Sequence, residues 1–304
     1  MLFASAEELS GSKSPFQTKR ENEWPLVLCA AHFDESHKKP GLAVAGYSAT
    51  IDTWSHLDRQ WQALLKQWNL KYFKASECEC GLVEFAQYRD DLTASKSPLK
   101  PHERERLRKI KLEFIDAICA RHHVLQGYGA AIATEDLKRI IAEDPIAPII
   151  FLEKPYYSGF QLCLVAAAML ASDINMRRSG NDKIEVQPIF GAREEPGLTA
   201  KTLFDNFSTK NPRSTEVFLP PQYEDDRTNS WLQVADTLAY ELCKQLLATT
   251  DNTRDDYMRV SLRSLLPAIH RVFRLDYKNL KQIICNHSSD SIPIWHLLPE
   301  ELCQ

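Results

Sequence analysis

The sequence has no apolar stretch of signal-peptide length near its start, where residues 1–24 read MLFASAEELSGSKSPFQTKRENEW. Nor does any uninterrupted run approach the roughly 20 apolar residues that a spanning helix needs. These absences argue against a membrane segment and lead to the expectation of a cytoplasmic protein. Positive charge is not in excess: 37 Lys and Arg stand against 41 Asp and Glu, for a net charge of −4. The chain therefore lacks the global basic footprint of many nucleic-acid binders, leaving only a local basic groove for such a role. No Walker, G-x-S-x-G or H-E-x-x-H motif is present, which removes the commonest rival mechanisms. No internal repeat is present. The eight cysteines include one C-x-C, Cys78 and Cys80, with no second such pair and no nearby paired histidines. That spacing matches no standard zinc site. Cys29 in VLCAA and Cys163 in QLCLV read as small core residues, and all eight thiols are expected to be free in a reducing compartment.

What is present is an ordinary globular composition, 44% hydrophobic and 26% charged over 304 residues, long enough for one large domain or two small ones. Apolar runs alternate with helical periods. Strands are expected near Leu26–Asp34, Leu42–Ile51, Val124–Ala133, Ile184–Phe190 and Glu216–Leu219. Trp54, Leu57, Trp61, Leu64, Leu65 and Trp68 recur every three or four residues, which predicts an amphipathic helix capped by Asp52 or Thr53. A charged helix is expected over His102–Arg121, with Arg104, Arg106, Arg108, Lys109 and Lys111 on its outer face. That run reads as a solvated face or as a contact for a substrate backbone. Thr134 is expected to cap the helix that follows the third strand. Long helical periods are also expected over Tyr156–Met176, Trp231–Leu246 and Tyr257–Phe273. The alternation argues for an α/β domain with a mixed sheet.

Two stretches carry chemistry. Pro25–Ser36, PLVLCAAHFDES, is almost unbroken apolar sequence that ends in Asp34 and Glu35. It reads as a central strand buried on both faces whose end opens into a site, or as a strand whose acids begin a solvated turn. Because side chains alternate along a strand, Asp34 and Glu35 face opposite ways, so at most one joins a given cluster. The second stretch is Trp231–Leu246, WLQVADTLAYELCKQL. At 3.6 residues per turn, Thr237, Glu241 and Lys244 share one narrow polar face, whereas Asp236 stands among Leu232, Gln233, Ala239, Tyr240 and Cys243. A carboxylate there is at least partly buried and has to be paired, protonated or bound to metal. Capping another segment and closing a salt bridge are the competing duties.

In order and separation, Phe33-Asp-Glu-Ser36, Trp54–Trp68, Phe73-Lys-Ala-Ser-Glu77 and Leu232-Gln-Val-Ala-Asp-Thr-Leu-Ala-Tyr240 resemble the uncharacterised family numbered 3800 among domains of unknown function. The resemblance covers about residues 25–247. It implies a ribonuclease H-like mixed sheet flanked by helices, in which strand and helix carboxylates converge on divalent metal. It further implies a nuclease or related phosphodiesterase using Mg2+ or Mn2+ on RNA or DNA. Carried over by position, Asp34 and Asp236 would be the metal ligands and catalytic residues, with Glu35 and Glu77 as further catalytic acids. Lys74 and Gln233 would contact substrate. The implied organisation is a polar leader over 1–22, a ribonuclease H-like domain over 23–247 and a helical C-terminal extension over 248–304. Three departures bear on activity. His37 stands where glycine is usual, Lys74 where histidine is common, and Gly191 where an acid is frequent. Glu194 or Glu195 in the following loop is the expected substitute for that missing acid. The alternative is a non-catalytic module of the same fold that binds nucleic acid or a partner protein.

Overall fold

The turn at Pro40 folds the first two apolar stretches against each other. β1 (Val27–Lys38) and β2 (Gly41–Thr50) pair antiparallel, from Cys29 opposite Thr50 to Lys38 opposite Gly41. The computed structural model describes residues 27–38, 40–90, 97–151, 154–177, 184–191, 204–205, 218–250 and 258–287. The leader over 1–22 and the loop acids Glu194 and Glu195 lie outside the described residues. After β2 come α1 (Ile51–Gln67), α2 (Ala75–Cys80), a 3-10 turn (Val83–Tyr88), α3 (Pro101–Cys119), β3 (Gln126–Ala133), α4 (Thr134–Glu143) and α5 (Ala147–Ile150). The chain continues through α6 (Pro155–Arg177), β4 (Ile184–Gly191), β5 (Gln222–Glu224), α7 (Ser230–Thr250), α8 (Val260–Leu265), β6 (Ile269–Leu275) and α9 (Tyr277–His287). The result is an α/β fold around one six-stranded mixed sheet, ordered β5-β4-β1-β2-β3-β6. β2 is antiparallel to both β1 and β3, while β1–β4, β4–β5 and β3–β6 are parallel. β1 thus lies inside the sheet, as its continuous apolar run requires.

Alternation along β2 divides the core into two layers. Ala43, Ala45, Tyr47 and Ala49 face one side and pack with Trp54, Trp61, Phe73, Phe114 and the apolar residues of α7. Leu42 and Val44 face the other and pack with Phe33, Phe190 and the small-residue-rich α6. The first layer allows α7 to approach the sheet closely. A Cβ placed on Gly129 of β3 would lie 2.6 Å from Ala45 Cβ and 2.7 Å from Leu242 Cδ1. Among the described residues no helix is long and apolar enough to cross a membrane. The six cysteines whose side chains are described, Cys78, Cys80, Cys119, Cys163, Cys243 and Cys285, are free.

Several elements differ from the sequence reading. The stretch Tyr257–Phe273 is not one helix. Where it is described it forms α8, a 3-10 turn at Leu266–Ala268, and then β6, which extends the sheet beside β3. Pro267 ends the helical period because it lacks the N–H that a helix interior needs, and Ile269-His-Arg-Val-Phe273 is β-prone. The C-terminal segment is therefore part of the sheet and not a purely helical extension. Thr50, and neither Asp52 nor Thr53, caps α1, its side chain accepting the Thr53 N–H at 3.3 Å. Thr134 does not cap α4; its hydroxyl donates to the Pro40 carbonyl at 2.7 Å. Of the strand expected at Glu216–Leu219, residues 216–217 lie outside the described residues, Phe218 makes an isolated bridge to Val186, and the strand beside β4 that follows is β5.

Helix α7 is buried along its polar face as well. Thr237 and Glu241 have no exposed surface. Glu241 meets the Lys111 ammonium, accepts Arg259 Nε at 2.9 Å and accepts the Ser261 hydroxyl at 2.5 Å. Glu79 of α2 joins the same cluster, 2.8 Å from Lys111, 2.5 Å from Arg259 and 3.2 Å from Lys244. Lys111, expected on an exposed face of α3, is thereby buried. Burial alone would raise the Glu79 pKa, but Lys111, Arg259 and Lys244 outweigh it and pull the carboxyl down to about 2. A carboxyl depressed in the folded state stabilises the fold above its ordinary pKa and loses that contribution as pH falls through the folded value. Stability is therefore expected to decline between pH ~4.5 and ~2, and Glu79→Gln should flatten that part of the curve. Urea unfolding at stepped pH measures it; an identical decline in the variant would assign acid sensitivity to other groups.

Candidate active site

Alternation decides which way Asp34 faces. Phe33 is buried on the α6 side, with ring centroids 5.1 Å from Phe190 and 5.7 Å from Tyr128. The next side chain, Asp34, therefore turns to the α7 side, where it is 5% exposed. Its sheet neighbours are small. Ala45 lies opposite it on β2, and Gly191 ends β4 one residue beyond the Phe33–Phe190 pair. A Cβ at position 191 would stand 2.7 Å from Asp34 Oδ1. A side chain there, an acid included, would require the Asp34 carboxylate to shift, which glycine spares it.

Asp236 comes to this side from α7 and is 4% exposed. Its Oδ2 accepts the Ala75 N–H at 2.9 Å. Asp236 thus caps the first residue of α2, one of the competing duties foreseen for it, while bringing negative charge to the sheet end. Lys74, immediately before α2, links the acids. Its ammonium bonds Asp226. Burial acts to lower the Lys74 pKa, but Asp236, the bond and charge of Asp226, and then Asp34 outweigh it and raise the value. The lysine is therefore kept a cation, bonded to Asp226 in the loop before α7 and favoured by the charges of Asp236 and Asp34. Burial pushes the Asp226 carboxyl up, and the Lys74 bond more than reverses this, holding it below the usual range.

Asp226 is the residue that sequence reasoning missed. It lies in the polar stretch before α7, where an acid doublet is unremarkable. The signal was the doublet itself. Asp225 supplies the turn, with Oδ1 accepting the Arg227 N–H at 2.9 Å and its carbonyl accepting the Asn229 N–H at 2.9 Å. Asp226, half-buried, is left to meet Lys74.

The other expected residues are placed differently. Gln233 is buried, and its amide is engaged inside the protein: Oε1 accepts Trp61 Nε1 at 2.9 Å and the Phe73 N–H at 3.0 Å, while Nε2 donates to the Arg227 carbonyl at 3.3 Å. It clamps α1, the segment leading to Lys74 and the Asp226 loop together. Glu77 lies on α2 and accepts the Tyr72 hydroxyl at 2.8 Å; Arg227 stands over the Tyr72 ring at 5.5 Å. It is not among the charges that act most strongly on Lys74. Glu35 pairs with Val44 in the β1–β2 ladder, and its side chain lies outside the described residues.

Among the described residues, one set of three possible ligand atoms lies mutually within 4.8 Å: Asp90, His102 and Glu103. Each acid there already has a structural task. Glu103 accepts the Asp90 and Lys100 N–H groups at 2.7 and 2.6 Å, closing the start of α3. Asp90 accepts from Lys100 at 2.9 Å and lies 2.8 Å from His102 Nε2. By contrast, Asp34, Asp236 and Asp226 act together on the charge of Lys74, and their ligand atoms do not form a set within 4.8 Å of one another. The chain matches no family model, no curated protein and no solved structure.

Gln233→Leu keeps the bulk of the side chain and leaves the Trp61 and Phe73 donors unpaired, a loss of about 2–6 kcal/mol at about 1–3 kcal/mol per buried group. Urea denaturation followed by tryptophan fluorescence measures the loss. A change below about 0.5 kcal/mol, the size of a neutral surface substitution, would mean that the clamp does not hold these segments.

Proposed function

We propose that this chain is a divalent-metal-dependent nuclease or related phosphodiesterase, with a ribonuclease H-like sheet and RNA or DNA as substrate. The observation that carries the reading is geometric: Asp34 of β1 and Asp236 of α7 are both buried on the same side of the sheet, and Asp236 accepts the Ala75 N–H next to Lys74, whose ammonium bonds Asp226. A strand carboxylate and a helix carboxylate, about two hundred positions apart in the sequence, serve one positive charge. Support also comes from the strand order, in which β1 lies between antiparallel β2 and parallel β4. That is the order expected of a ribonuclease H-like sheet.

Mg2+ or Mn2+ would be held by Asp34 and Asp236, with Asp226 as a third acid, and would supply activation of water and stabilisation of the leaving oxygen. The chain's own groups prepare the place. The Ala75 N–H fixes the Asp236 carboxylate at 2.9 Å. Ala45 and Gly191 leave room for the Asp34 carboxylate, and Gln233 fixes the loop that carries Asp226. Lys74 neutralises the acids when no other cation is near. With substrate present its ammonium is available to a phosphate oxygen, the ordinary use of lysine as a point charge.

The non-catalytic reading draws on a specific observation too. The three acids do not form a set with ligand atoms within 4.8 Å of one another, and a side chain at position 191 would require the Asp34 carboxylate to shift. One experiment separates the two readings: labelled single- and double-stranded RNA and DNA, incubated with Mg2+, Mn2+ or EDTA. Cleavage should require the metal. Asp34→Asn and Asp236→Asn should each lower it by more than about 100-fold, the upper range for loss of an outer partner of a metal site, with unchanged circular dichroism. Lys74→Ala should weaken binding and reduce the log–log salt slope by about one. Metal-independent cleavage, or cleavage that persists in both Asn variants, would refute the hydrolase reading. Tight binding without cleavage under any metal would favour the non-catalytic module.

A further inference from the structure

Helix α3 carries a basic stripe that the carboxylate site does not use. Arg104, Arg108 and Lys111 recur at intervals of four and three, so they share one face of the helix. Arg106 and Lys109 leave that face: Arg106 donates to the Tyr88 carbonyl at 3.2 Å and Lys109 lies over the Trp68 ring at 5.8 Å. Opposite the stripe stands α8, with Arg259 immediately before it and Ser261 in its first turn. Between them is a pocket of about 380 Å³ lined by Arg104, Arg108, Lys111, Arg259, Glu79 and Ser261, among others.

Among the described residues, the charges around this pocket do not balance. Lys111, Lys244 and Arg259 share two carboxylates, Glu79 and Glu241. Both acids are held ionised: burial raises each, and the surrounding cations more than reverse it. One positive charge is therefore left over within the cluster. Arg104 and Arg108 add two more at the mouth. Arg104 spends Nε on the Leu99 carbonyl at 3.1 Å, which is neutral, and Arg108 meets Glu105 at 3.5 Å with both side chains more than half exposed. Such an exposed pair contributes little, and like charges four apart on a helix repel. An anion in the pocket would relieve both the repulsion and the excess.

We propose that this pocket between α3 and α8 binds a phosphate-class oxyanion, with Arg104, Arg108 and Arg259 as its principal donors. Guanidinium groups match the geometry of phosphate oxygens, and three lining one pocket, from α3 and from the residue before α8, favour a tetrahedral oxyanion over a single carboxylate. The volume accommodates pyrophosphate or the phosphate of a mononucleotide, and a backbone phosphate of nucleic acid presents the same chemistry. The inference does not depend on the carboxylate site or on any cleavage there.

The test uses the full chain in EDTA at constant ionic strength. Titration calorimetry with inorganic phosphate, pyrophosphate and adenosine monophosphate should detect one site, and acetate at equal ionic strength should give none. In Arg104→Ala/Arg108→Ala, both on an exposed part of α3, the dissociation constant for pyrophosphate should rise at least tenfold. Asp34→Asn should leave it unchanged. Protection of Arg104 and Arg108 from phenylglyoxal by pyrophosphate, read by peptide mass in the unsubstituted protein, supplies an answer even if the double variant folds poorly. A short single-stranded oligonucleotide identifies the source: competition with pyrophosphate assigns the site to a nucleic-acid backbone, and its absence assigns it to a free phosphate compound. Equal binding of acetate and phosphate, no protection of the two arginines, or binding that is lost in Asp34→Asn and kept in the arginine variant would overturn the proposal.

Discussion

Everything in this structure has to accommodate one helix that is buried and ionised at once. α7 lies against the sheet on one side and under α1, α2 and α8 on others, and it carries Asp236 and Glu241 with almost no exposed surface. Leaving such carboxylates unpaired in the interior would cost several kcal/mol each. Five residues separate them, about 7.5 Å along the helix axis at 1.5 Å per residue. The protein answers at two places. Near Asp236 it brings a backbone N–H from α2 and the Lys74 ammonium. Around Glu241 it brings Lys111, Arg259 and the Ser261 hydroxyl.

Those two solutions explain why α2, only six residues long, is nonetheless central. Its first residue is capped by Asp236, Glu79 further along it joins the cation cluster, and Lys74 stands just before it. The short helix is thus tied to α7 at both ends. The aromatic packing beneath it does the rest: Phe73 stacks on Phe114 at 4.2 Å and meets Trp61 edge-on at 5.7 Å. The aromatic stripe of α1 is therefore core, and its contribution to the site is to hold the Phe73–Ala75 backbone where Gln233 and Asp236 can receive it.

The two charge clusters differ in sign, and that difference is informative. Beside Asp34 of β1, Lys74 bonds Asp226 and feels the charges of Asp236 and Asp34, so that carboxylates outnumber it among the described residues. Between α3 and α8 three cations share two carboxylates, with two further arginines at the mouth, leaving a positive excess that suits an anion. A protein with a net charge of −4 can hold both, because screening over about 8–10 Å keeps local charge, and not the total, in control of what binds.

The sequence by itself determined the interior strand that carries Asp34, though that strand runs on to Lys38 and does not end at the acids, and with it the aromatic helix, the long α6 and the burial of Asp236, because each is written in a local period of two or 3.6. It also contained the end of α8, in Pro267, although the apolar spacing around that residue hid it. Tertiary structure alone decided which charges meet. Asp226 looks like any acid in a polar loop until the Asp225 turn and Gln233 aim it at Lys74. Lys111 looks like part of a solvated face until Glu79 and Glu241 close over it. The reason is physical: a local pattern reports how a residue's own element is buried, whereas a carboxylate's partner is set by the approach of segments that can be two hundred residues apart in sequence.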